Sequence, residues 1–199
     1  MRNRIVVGMT ALLVLVGVAV NAAEKKTAAT VGSEAPAFAL QDQNGKEVKL
    51  SDYAGKIVVL EWWNEGCPYV QRHAQEQTMQ KVADKYKEKG VVWLAISSNA
   101  GVSNEQNKKA VEKFKLSYAI LNDSTTAVAR SYGAKATPHM FVIDKQGKIA
   151  YSGAIDNDPE GDKKDDVNYV AKAIEELING GTVSVAETKA YGCGVKYSG

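Results

Sequence analysis

The sequence predicts an α/β fold in which a mixed central sheet is flanked by helices. Three observations predict it: two nearly continuous apolar runs typical of buried strands, helical periodicity between and after them, and a late pair of strands around a turn. Strands that alternate with helices before a final hairpin and helix indicate a mixed sheet. With 199 residues, 45% of them hydrophobic, the chain can form one domain with a substantial core, unlike disordered or collagen-like sequences.

The N-terminal segment, residues 1–23, is typical of a secretory signal peptide. Arg2 and Arg4 precede an uncharged apolar run over 5–20, and small residues follow it. An uncleaved membrane anchor is the alternative, but crossing the hydrocarbon core takes about 20 apolar residues. We therefore expect cleavage and a mature protein that is periplasmic or extracellular, where disulfides persist.

The formal charge of +2 belongs to this N-terminal segment. The whole chain has 25 basic and 23 acidic residues, and two arginines leave with residues 1–23. The mature chain is then neutral, so no nucleic-acid partner is expected, and membrane contact is expected only through an uncleaved signal segment. Residues 24–30 lack apolar periodicity and are predicted to form a flexible leader.

The predicted elements follow the leader in order. A short hairpin spans 38–50 around Asn44-Gly45, a dipeptide typical of tight hairpin turns. The branched and aromatic run 57–63 indicates a strand buried on both faces. The spacing of apolar residues predicts a helix from Pro68 to about Lys89. The next elements are a strand at 91–96, a helix at 104–114 capped by Asn104, a strand at 118–121 and a short helix at 125–132.

The last part of the chain is predicted to add a hairpin, a helix and a tail. Strands at 140–143 and 149–154 flank a turn, and apolar residues three and four apart predict an amphipathic helix over 167–178. The main domain is therefore expected to cover 31–181, and the tail, residues 182–199, carries Cys193. The sequence contains no internal repeat.

One of the two cysteines, Cys67, lies where the strand 57–63 is followed by the helix that starts at Pro68. Unpaired N–H groups and the dipole at a helix N-terminus stabilise a thiolate and lower the pKa of a thiol. Pro68 suits the first helical position, because an N–H there has no partner within the helix. An inert buried cysteine is the alternative. The position favours a reactive thiol.

Several motifs carry a family resemblance. They are Val31-Gly-Ser-Glu-Ala-Pro36-Ala-Phe38-Ala-Leu40, then Asp42, Gly45, Leu50 and Gly55-Lys56, the strand into Cys67, Tyr132-Gly133, Thr137-Pro138 and Phe141-Val-Ile-Asp144-Lys-Gln-Gly147. Over about residues 31–180 the chain resembles the redoxin or AhpC/TSA branch of the thioredoxin-like superfamily, with its peroxiredoxin-like and TlpA-like proteins. The resemblance implies a thioredoxin-like sandwich with an N-terminal β-hairpin extension.

The resemblance also implies roles for individual residues. Cys67 matches the nucleophilic cysteine, and Thr137-Pro138 matches a loop whose proline is cis and lies beside the sulfur, although the sequence alone is compatible with either isomer. Glu61 matches a buried acid that assists proton transfer; a strand-end carboxylate turned to solvent is the alternative. The residues expected to bind substrate are Trp63, Pro68, Thr137, Pro138 and His139.

The chain departs from the family pattern at the site. Val70 stands where thioredoxins have their second cysteine, so the usual disulfide within one helical turn cannot form. Asn64 and Leu60 stand where peroxiredoxins have a Thr and a Pro, and their arginine before the 140–143 strand is absent, with Arg130 on the preceding helix. The site therefore resembles that of a thioredoxin without its local resolving thiol.

The second cysteine, Cys193, is the candidate for that missing thiol. Gly192 and Gly194 flank it and give the chain the flexibility to reach a distant site. Its thiolate would then attack an oxidised Cys67 and form an intramolecular disulfide. A structural disulfide, contributing up to about 4–5 kcal/mol in the loop-entropy model, is one alternative. An unpaired thiol that meets Cys67 only in a second subunit is the other.

The remaining polar residues are weaker candidates. His73 is expected on the surface or in the groove, and His139 either lines the groove or packs on the sheet. A copper site is not favoured, because the Cys-x-x-x-Cys pair of copper-carrying relatives is absent. The segment 156–161 is similar to a calcium loop, but Val167 stands where a Glu is needed, so a solvated loop is expected. No metal or cofactor is predicted.

These observations predict an exported thiol-disulfide oxidoreductase that acts through Cys67. Its expected partners are a protein disulfide or thiol, or a small oxidant, together with an external thiol reductant. One alternative is a peroxiredoxin-like thiol peroxidase, which the missing Thr and Arg should make slow. Another is a redox-inactive thioredoxin-fold module that binds a peptide beside Pro138 or carries a metal.

Overall fold

The computed structural model describes residues 28–197 of the chain. The predicted signal peptide, 1–23, and most of the predicted leader, 24–30, lie outside the described residues, so the domain boundaries remain predictions. In the described part, Ala29 donates a backbone hydrogen bond of 3.0 Å to the carbonyl of Ser131. No helix between residues 28 and 197 is long and apolar enough to cross a membrane.

Strands and helices alternate through the first two thirds of the described chain. The strands are β1 (Ala39–Gln41), β2 (Glu47–Lys49), β3 (Val58–Trp63), β4 (Val92–Ser97), β5 (Ala119–Asn122), β6 (Ala136–Thr137), β7 (Met140–Ile143), β8 (Ile149–Gly153) and β9 (Cys193–Gly194). The helices are α1 (Pro68–Glu76), α2 (Thr78–Lys87), α3 (Asn104–Phe114), α4 (Ala127–Tyr132) and α5 (Tyr169–Ile178), and a 3-10 turn covers Leu50–Tyr53.

Seven of these strands form one mixed sheet in the order β2-β1-β5-β4-β3-β7-β8. β3, β4 and β5 are parallel, whereas β7 pairs antiparallel with β3 and β8 pairs antiparallel with β7. The hairpin β1–β2 joins the edge of this sheet at β5, where Gln41 pairs with Asn122. The predicted mixed sheet with an N-terminal hairpin extension is thus confirmed.

The central strand β3 separates two apolar layers, because successive side chains of a strand point to opposite faces. All six of its residues are buried. Trp62 packs with α4 and the N-terminal segment on one face. Trp63 packs with Cys67, α1 and α3 on the other face, where α2 and α5 cover the rest of the sheet. Trp63 therefore belongs to the layer that contains the reactive cysteine.

Two helix predictions need correction. The helix expected from Pro68 to about Lys89 is two helices, broken at Gln77, which adopts the left-handed conformation with φ 58°. The cap of α3 is Ser103 and not Asn104, because the Ser103 hydroxyl oxygen accepts the N–H of Gln106. The break at Gln77 and the cap at Ser103 both depend on backbone geometry that the apolar spacing does not encode.

The tail runs back over the molecule after α5. Near β8, the Thr188 N–H donates to the Ser152 carbonyl at 3.1 Å, and the Ser152 N–H donates to the Ala186 carbonyl at 3.0 Å. This approach needs Gly153, since a Cβ at that position would collide with Thr188. The tail then forms β9, which pairs antiparallel with β6 in a second, two-stranded sheet.

Candidate active site

Cys67 is the N-cap residue of α1, at the end of the turn that follows β3. Within that turn the Asn64 side-chain oxygen accepts the Gly66 N–H at 2.9 Å, and the Asn64 carbonyl accepts the Cys67 N–H at 3.0 Å. Pro68 occupies the first helical position, as the sequence indicates. The turn therefore fixes the cysteine where the free N–H groups of the helix are available to a thiolate.

The loop before β7 lies against the sulfur of Cys67. The Thr137–Pro138 peptide bond is cis, the isomer that the family resemblance implies. The Cys67 thiol donates a hydrogen bond of 2.9 Å from its Sγ to the carbonyl of Thr137. Residues that are 70 positions apart in the sequence are therefore in direct contact.

Cys193 lies beside both Thr137 and Cys67. In the β6–β9 pair, Thr137 is opposite Cys193 and Ala136 is opposite Gly194. The Thr137 hydroxyl donates to the Cys193 carbonyl at 3.3 Å, and Cys193 packs against the apolar cluster that contains Cys67. Both cysteines are free thiols. The tail thus occupies the edge of β6 that was expected to bind a substrate backbone.

The two thiols have opposite pKa shifts. Burial alone raises the pKa of Cys67, but hydrogen bonds from the Cys193 thiol, the Val70 N–H, Thr137 and the Cys193 N–H outweigh it, so the net pKa lies below its ordinary value of 9.0. The hydrogen bond to Cys67 and, secondarily, burial raise the pKa of Cys193 to about 11. Cys67 is therefore the thiol that ionises first. The Cys193 thiol keeps its proton and donates a hydrogen bond to the Cys67 thiolate.

Glu61 is 1% exposed and lies on the same face of β3 as Trp63. Its Oε2 accepts hydrogen bonds from Trp93 Nε1 at 2.9 Å and from the Tyr118 hydroxyl at 3.0 Å. Burial raises its pKa to about 7, although these two hydrogen bonds oppose the shift. The solvent-facing alternative is wrong, because the carboxyl group is buried and able to exchange a proton near neutral pH.

His139 is buried, and its ring contacts residues other than the two cysteines. Its Nδ1 accepts the Lys135 N–H at 3.1 Å, its Nε2 lies 3.2 Å from the Ser152 hydroxyl, and its ring packs 4.5 Å from that of Phe141. Burial, with Lys135 nearby, lowers its pKa to about 4. It also lines a cavity of about 640 Å³ that Gly192 borders. These contacts match the expectation of a side chain packed on the sheet.

A buried polar cluster holds the tail next to the site. The Tyr191 hydroxyl donates to Asp156 Oδ1, and His73 Nε2 lies 2.9 Å from the same hydroxyl. Arg72 Nη2 lies 3.3 Å from the same His73 nitrogen, so the tautomer of His73 determines whether Nε2 donates to the tyrosine oxygen or accepts from Arg72. We call Tyr191, His73 and Asp156 the tail anchor. It fixes the backbone two residues before Cys193.

The tail anchor overturns two sequence expectations. His73 is 1% exposed and not on the surface, and burial lowers its pKa to about 4. Asp156 and Asp158 are also buried, so the expected solvated loop is wrong for the first part of the segment 156–161, whereas Glu160 and Gly161 are exposed as expected. Arg72 holds it by donating to the carbonyls of Asp158 and Pro159 at 2.9 and 3.1 Å. Tyr191 itself was missed, because its partner His73 is 118 positions away and local spacing carries no signal for such a contact.

No group of three or more His, Cys, Asp or Glu side chains within residues 28–197 is arranged to hold a metal ion. The described site contains two thiols, the cis-proline loop beside them and a buried carboxyl group. A thioredoxin-like sheet, a cysteine at a helix N-cap and a cis-proline loop at its sulfur define oxidoreductases of the thioredoxin-like superfamily.

Comparison with known proteins gives the family. The AhpC/TSA family model matches residues 31–152, and the chain belongs to this family. The thiol-disulfide oxidoreductase ResA of Geobacillus kaustophilus is 35% identical over 153 residues, which are 74% of this chain and 86% of the relative. ResA of Geobacillus thermodenitrificans is 38% identical over 125 residues, 63% of this chain and 70% of the relative.

Solved structures agree with the fold. An uncharacterized conserved protein from Geobacillus kaustophilus matches with a TM-score of 0.78 and 28% identity, covering 85% of this chain and 93% of the other. The thioredoxin domain of a thiol-disulfide oxidoreductase from Bacteroides vulgatus matches with a TM-score of 0.55 and 29% identity, covering 62% of this chain and 87% of the other. The predicted thioredoxin-like sandwich is confirmed.

Proposed function

We propose that this protein is a thiol-disulfide oxidoreductase whose redox centre is the pair Cys67 and Cys193. The observation that carries the proposal is the β6–β9 pairing, which sets Cys193 opposite Thr137 while the Thr137 carbonyl accepts the Cys67 thiol. The opposite pKa shifts of the two thiols support it, because they mark one ready nucleophile and one protonated partner.

The catalytic cycle has two steps at sulfur. With the tail displaced, the Cys67 thiolate attacks a substrate disulfide, forms a mixed disulfide and releases one substrate thiolate. The Cys193 thiolate then attacks Cys67, breaks the mixed disulfide and releases the second substrate thiolate, leaving a Cys67–Cys193 disulfide. The substrate gains two electrons and the protein loses two. Glu61, with its pKa near 7 and its carboxyl group bound by Trp93 and Tyr118, is the residue that we propose to assist proton transfer in this cycle.

Thiol counting at defined redox potentials tests the proposal. We expect the wild type to lose two free thiols together in one two-electron transition and to lose 2 Da in mass, with no dimer formed. Cys67→Ser and Cys193→Ser should each retain one free thiol and form no intramolecular disulfide. A wild type that keeps both thiols at every potential would leave the redox-inactive binding module as the better description.

Peroxide reduction is the weaker alternative. Asn64 and Leu60 stand in place of the family's Thr and Pro, and the Arg130 guanidinium lies 4.8 Å from the ring of Tyr197. We expect slow consumption of hydrogen peroxide in comparison with disulfide substrates. Rapid consumption, together with a trapped Cys67 sulfenic acid, would reverse this order.

We also propose that the protein is exported. Support comes from the N-terminal charge pattern, with Arg2 and Arg4 before an apolar run, and from a redox pair that needs an oxidising compartment to persist as a disulfide. Mass spectrometry of the protein from fractionated cells should find a new N-terminus near Ala23 outside the cytoplasm. An intact N-terminus in the soluble cytoplasmic fraction would contradict export.

A further inference from the structure

The two sulfurs of the proposed pair differ in access. Cys67 is 0% exposed, because it lies under the tail, within the cluster that contains Trp63 and Val70. Cys193 is partly exposed, and the glycine that follows it is exposed. A reagent that approaches the closed molecule therefore meets Cys193 before Cys67.

A disulfide between the two cysteines would keep Cys67 buried for as long as the bond lasts. In the reduced protein the tail is held by noncovalent contacts, so its detachment can admit a substrate to Cys67. In the oxidised protein the bond itself, together with the β6–β9 pair and the tail anchor, keeps the tail over Cys67. Oxidation thus closes the route to the sulfur that reacted first.

We infer that the two half-reactions use different sulfurs: substrate is attacked by Cys67, and the external thiol reductant that regenerates the enzyme attacks Cys193. This inference rests on the proposed Cys67–Cys193 disulfide and adds to it the site of reductant entry.

The regeneration step balances as two exchanges. The reductant's thiolate bonds to Cys193 Sγ while the Cys67–Cys193 bond breaks, and the electron pair leaves on Cys67 as a thiolate. A second reductant thiol then attacks the reductant sulfur of the mixed disulfide, forming the reductant's own disulfide and releasing Cys193, which takes up a proton. The protein gains two electrons and the reductant loses two.

Leaving-group chemistry supports the same direction. In thiol-disulfide exchange, the thiol of lower pKa leaves faster. In the disulfide Cys193 has no S–H to donate, but the N–H groups of Val70 and Cys193 and the N-terminus of α1 remain beside Cys67 and stabilise it as the leaving thiolate. Access and leaving-group ability therefore both select Cys193 as the attacked sulfur.

The covered edge of β6 also limits how a reductant docks. Thr137 is already paired with Cys193, so a reductant cannot add a strand at that edge while the tail is in place. The partner therefore has to present its thiol to Cys193 from the solvent side. A reductant with a protruding thiol fits this requirement better than an extended peptide.

The test uses oxidised wild-type protein and reduced glutathione as the probe. Brief reaction, acid quenching and peptide mapping by mass spectrometry locate the mixed disulfide. We expect glutathione on Cys193 with at least tenfold excess over Cys67. Glutathione mainly on Cys67 would overturn the inference but leave the proposed disulfide intact, whereas a wild type without any disulfide would overturn the proposed function.

Two glycine variants supply the matched comparison. A Cβ at Gly192, whose φ is 123°, would collide with the Thr137 carbonyl, whereas Gly194 has open space around its Cα. Gly192→Ala should displace the tail and raise the share of adduct on Cys67 severalfold, and Gly194→Ala should keep the wild-type distribution. An unchanged distribution in Gly192→Ala would also contradict the inference.

Single-cysteine variants decide the question if the wild-type adduct is too short-lived to map. Reaction with 5,5′-dithiobis(2-nitrobenzoate) should be at least tenfold faster for Cys193 in Cys67→Ser than for Cys67 in Cys193→Ser, after correction for the thiolate fraction of each. Equal corrected rates would show that the tail does not shield Cys67 and would overturn the inference.

Discussion

At the level of single residues, environment gives two identical side chains different chemical roles. Cys67 is buried at a helix N-cap with donors around its sulfur, and Cys193 lies on a partly exposed two-residue strand. The carbonyl of Thr137 contacts the first thiol, and the backbone of the same residue pairs with the second. One residue of the cis-proline loop thus organises both sulfurs.

The buried carboxyl of Glu61 predicts how stability depends on pH. Its pKa is about 7 in the folded protein against an ordinary value of 4.5, so the folded state binds the proton more tightly than the unfolded state. The contribution of Glu61 to the free energy of unfolding is therefore fully present below about pH 4.5 and is lost as the pH rises through 7. The full loss from this group is about 3 kcal/mol. The buried His73 and His139, with pKa values lowered to about 4, act in the opposite direction, so the Glu61 contribution is measured as the difference between wild type and Glu61→Gln in urea unfolding at pH 5 and pH 8.

Glu61→Gln removes this titration while it keeps an acceptor for Trp93 and Tyr118. The change in the free energy of unfolding from pH 5 to pH 8 should be more favourable in the variant than in the wild type, by most of that amount. The matched control is Glu88→Gln, at an exposed position after α2, which should follow the wild-type curve. Equal slopes for wild type and Glu61→Gln would mean that the carboxyl group does not titrate in this range.

At the level of elements, composition and apolar spacing predicted the strands, turns and helices that depend on nearby residues. The apolar run of β3, the Asn-Gly hairpin and the amphipathic α5 follow from composition and spacing, and the structure contains all three. The break at Gln77 was not predictable, because neither Gly nor Pro marks it and apolar spacing continues across it. The position of Cys67 was predictable, because a strand and a turn come before it and Pro68 follows it directly.

The tail is an element whose position depends on the tail anchor. Tyr191→Phe removes the hydroxyl that donates to Asp156 and contacts His73 Nε2, and leaves both buried groups without that partner. Such a loss costs about 1–3 kcal/mol, which raises the detached population by about fivefold to 150-fold. Alkylation of Cys67 by N-ethylmaleimide in the reduced protein should therefore accelerate by at least about fivefold.

Tyr69→Phe is the matched control for this prediction. The Tyr69 ring packs 5.9 Å from that of Tyr191, but no hydrogen bond of its hydroxyl is found among the described residues. The control should alkylate at the wild-type rate, with peptide mapping used to score Cys67 alone. If Tyr191→Phe also alkylates at that rate, the β6–β9 pair and not the tail anchor holds the tail.

At the level of the whole molecule, the sequence could not predict how distant segments meet. The resemblance implied the sandwich and the loop at Pro138, but the tail carried only two glycines and a cysteine as signals. The tail is held by contacts of Tyr191 with Asp156, which is 35 positions away, and with His73, which is 118 positions away. Cys193 also pairs with Thr137, which is 56 positions away. Such contacts depend on the packed fold, because local periodicity says nothing about which buried polar groups become partners.

The distance between the two cysteines along the chain predicts the stability of the whole fold in its two redox states. A Cys67–Cys193 disulfide closes a loop over most of the described domain, and the loop-entropy model assigns such a loop about 4–5 kcal/mol through the unfolded state. The oxidised wild type should therefore unfold at a higher guanidinium concentration than the reduced protein. The expected gain in the free energy of unfolding is at most about 4–5 kcal/mol. The Cys193→Ser variant should respond to reductant with no change in midpoint. The oxidised and reduced wild type could instead unfold at the same guanidinium concentration although thiol counting shows the disulfide. The disulfide would then not constrain the unfolded chain, and the loop-entropy model would fail for this molecule.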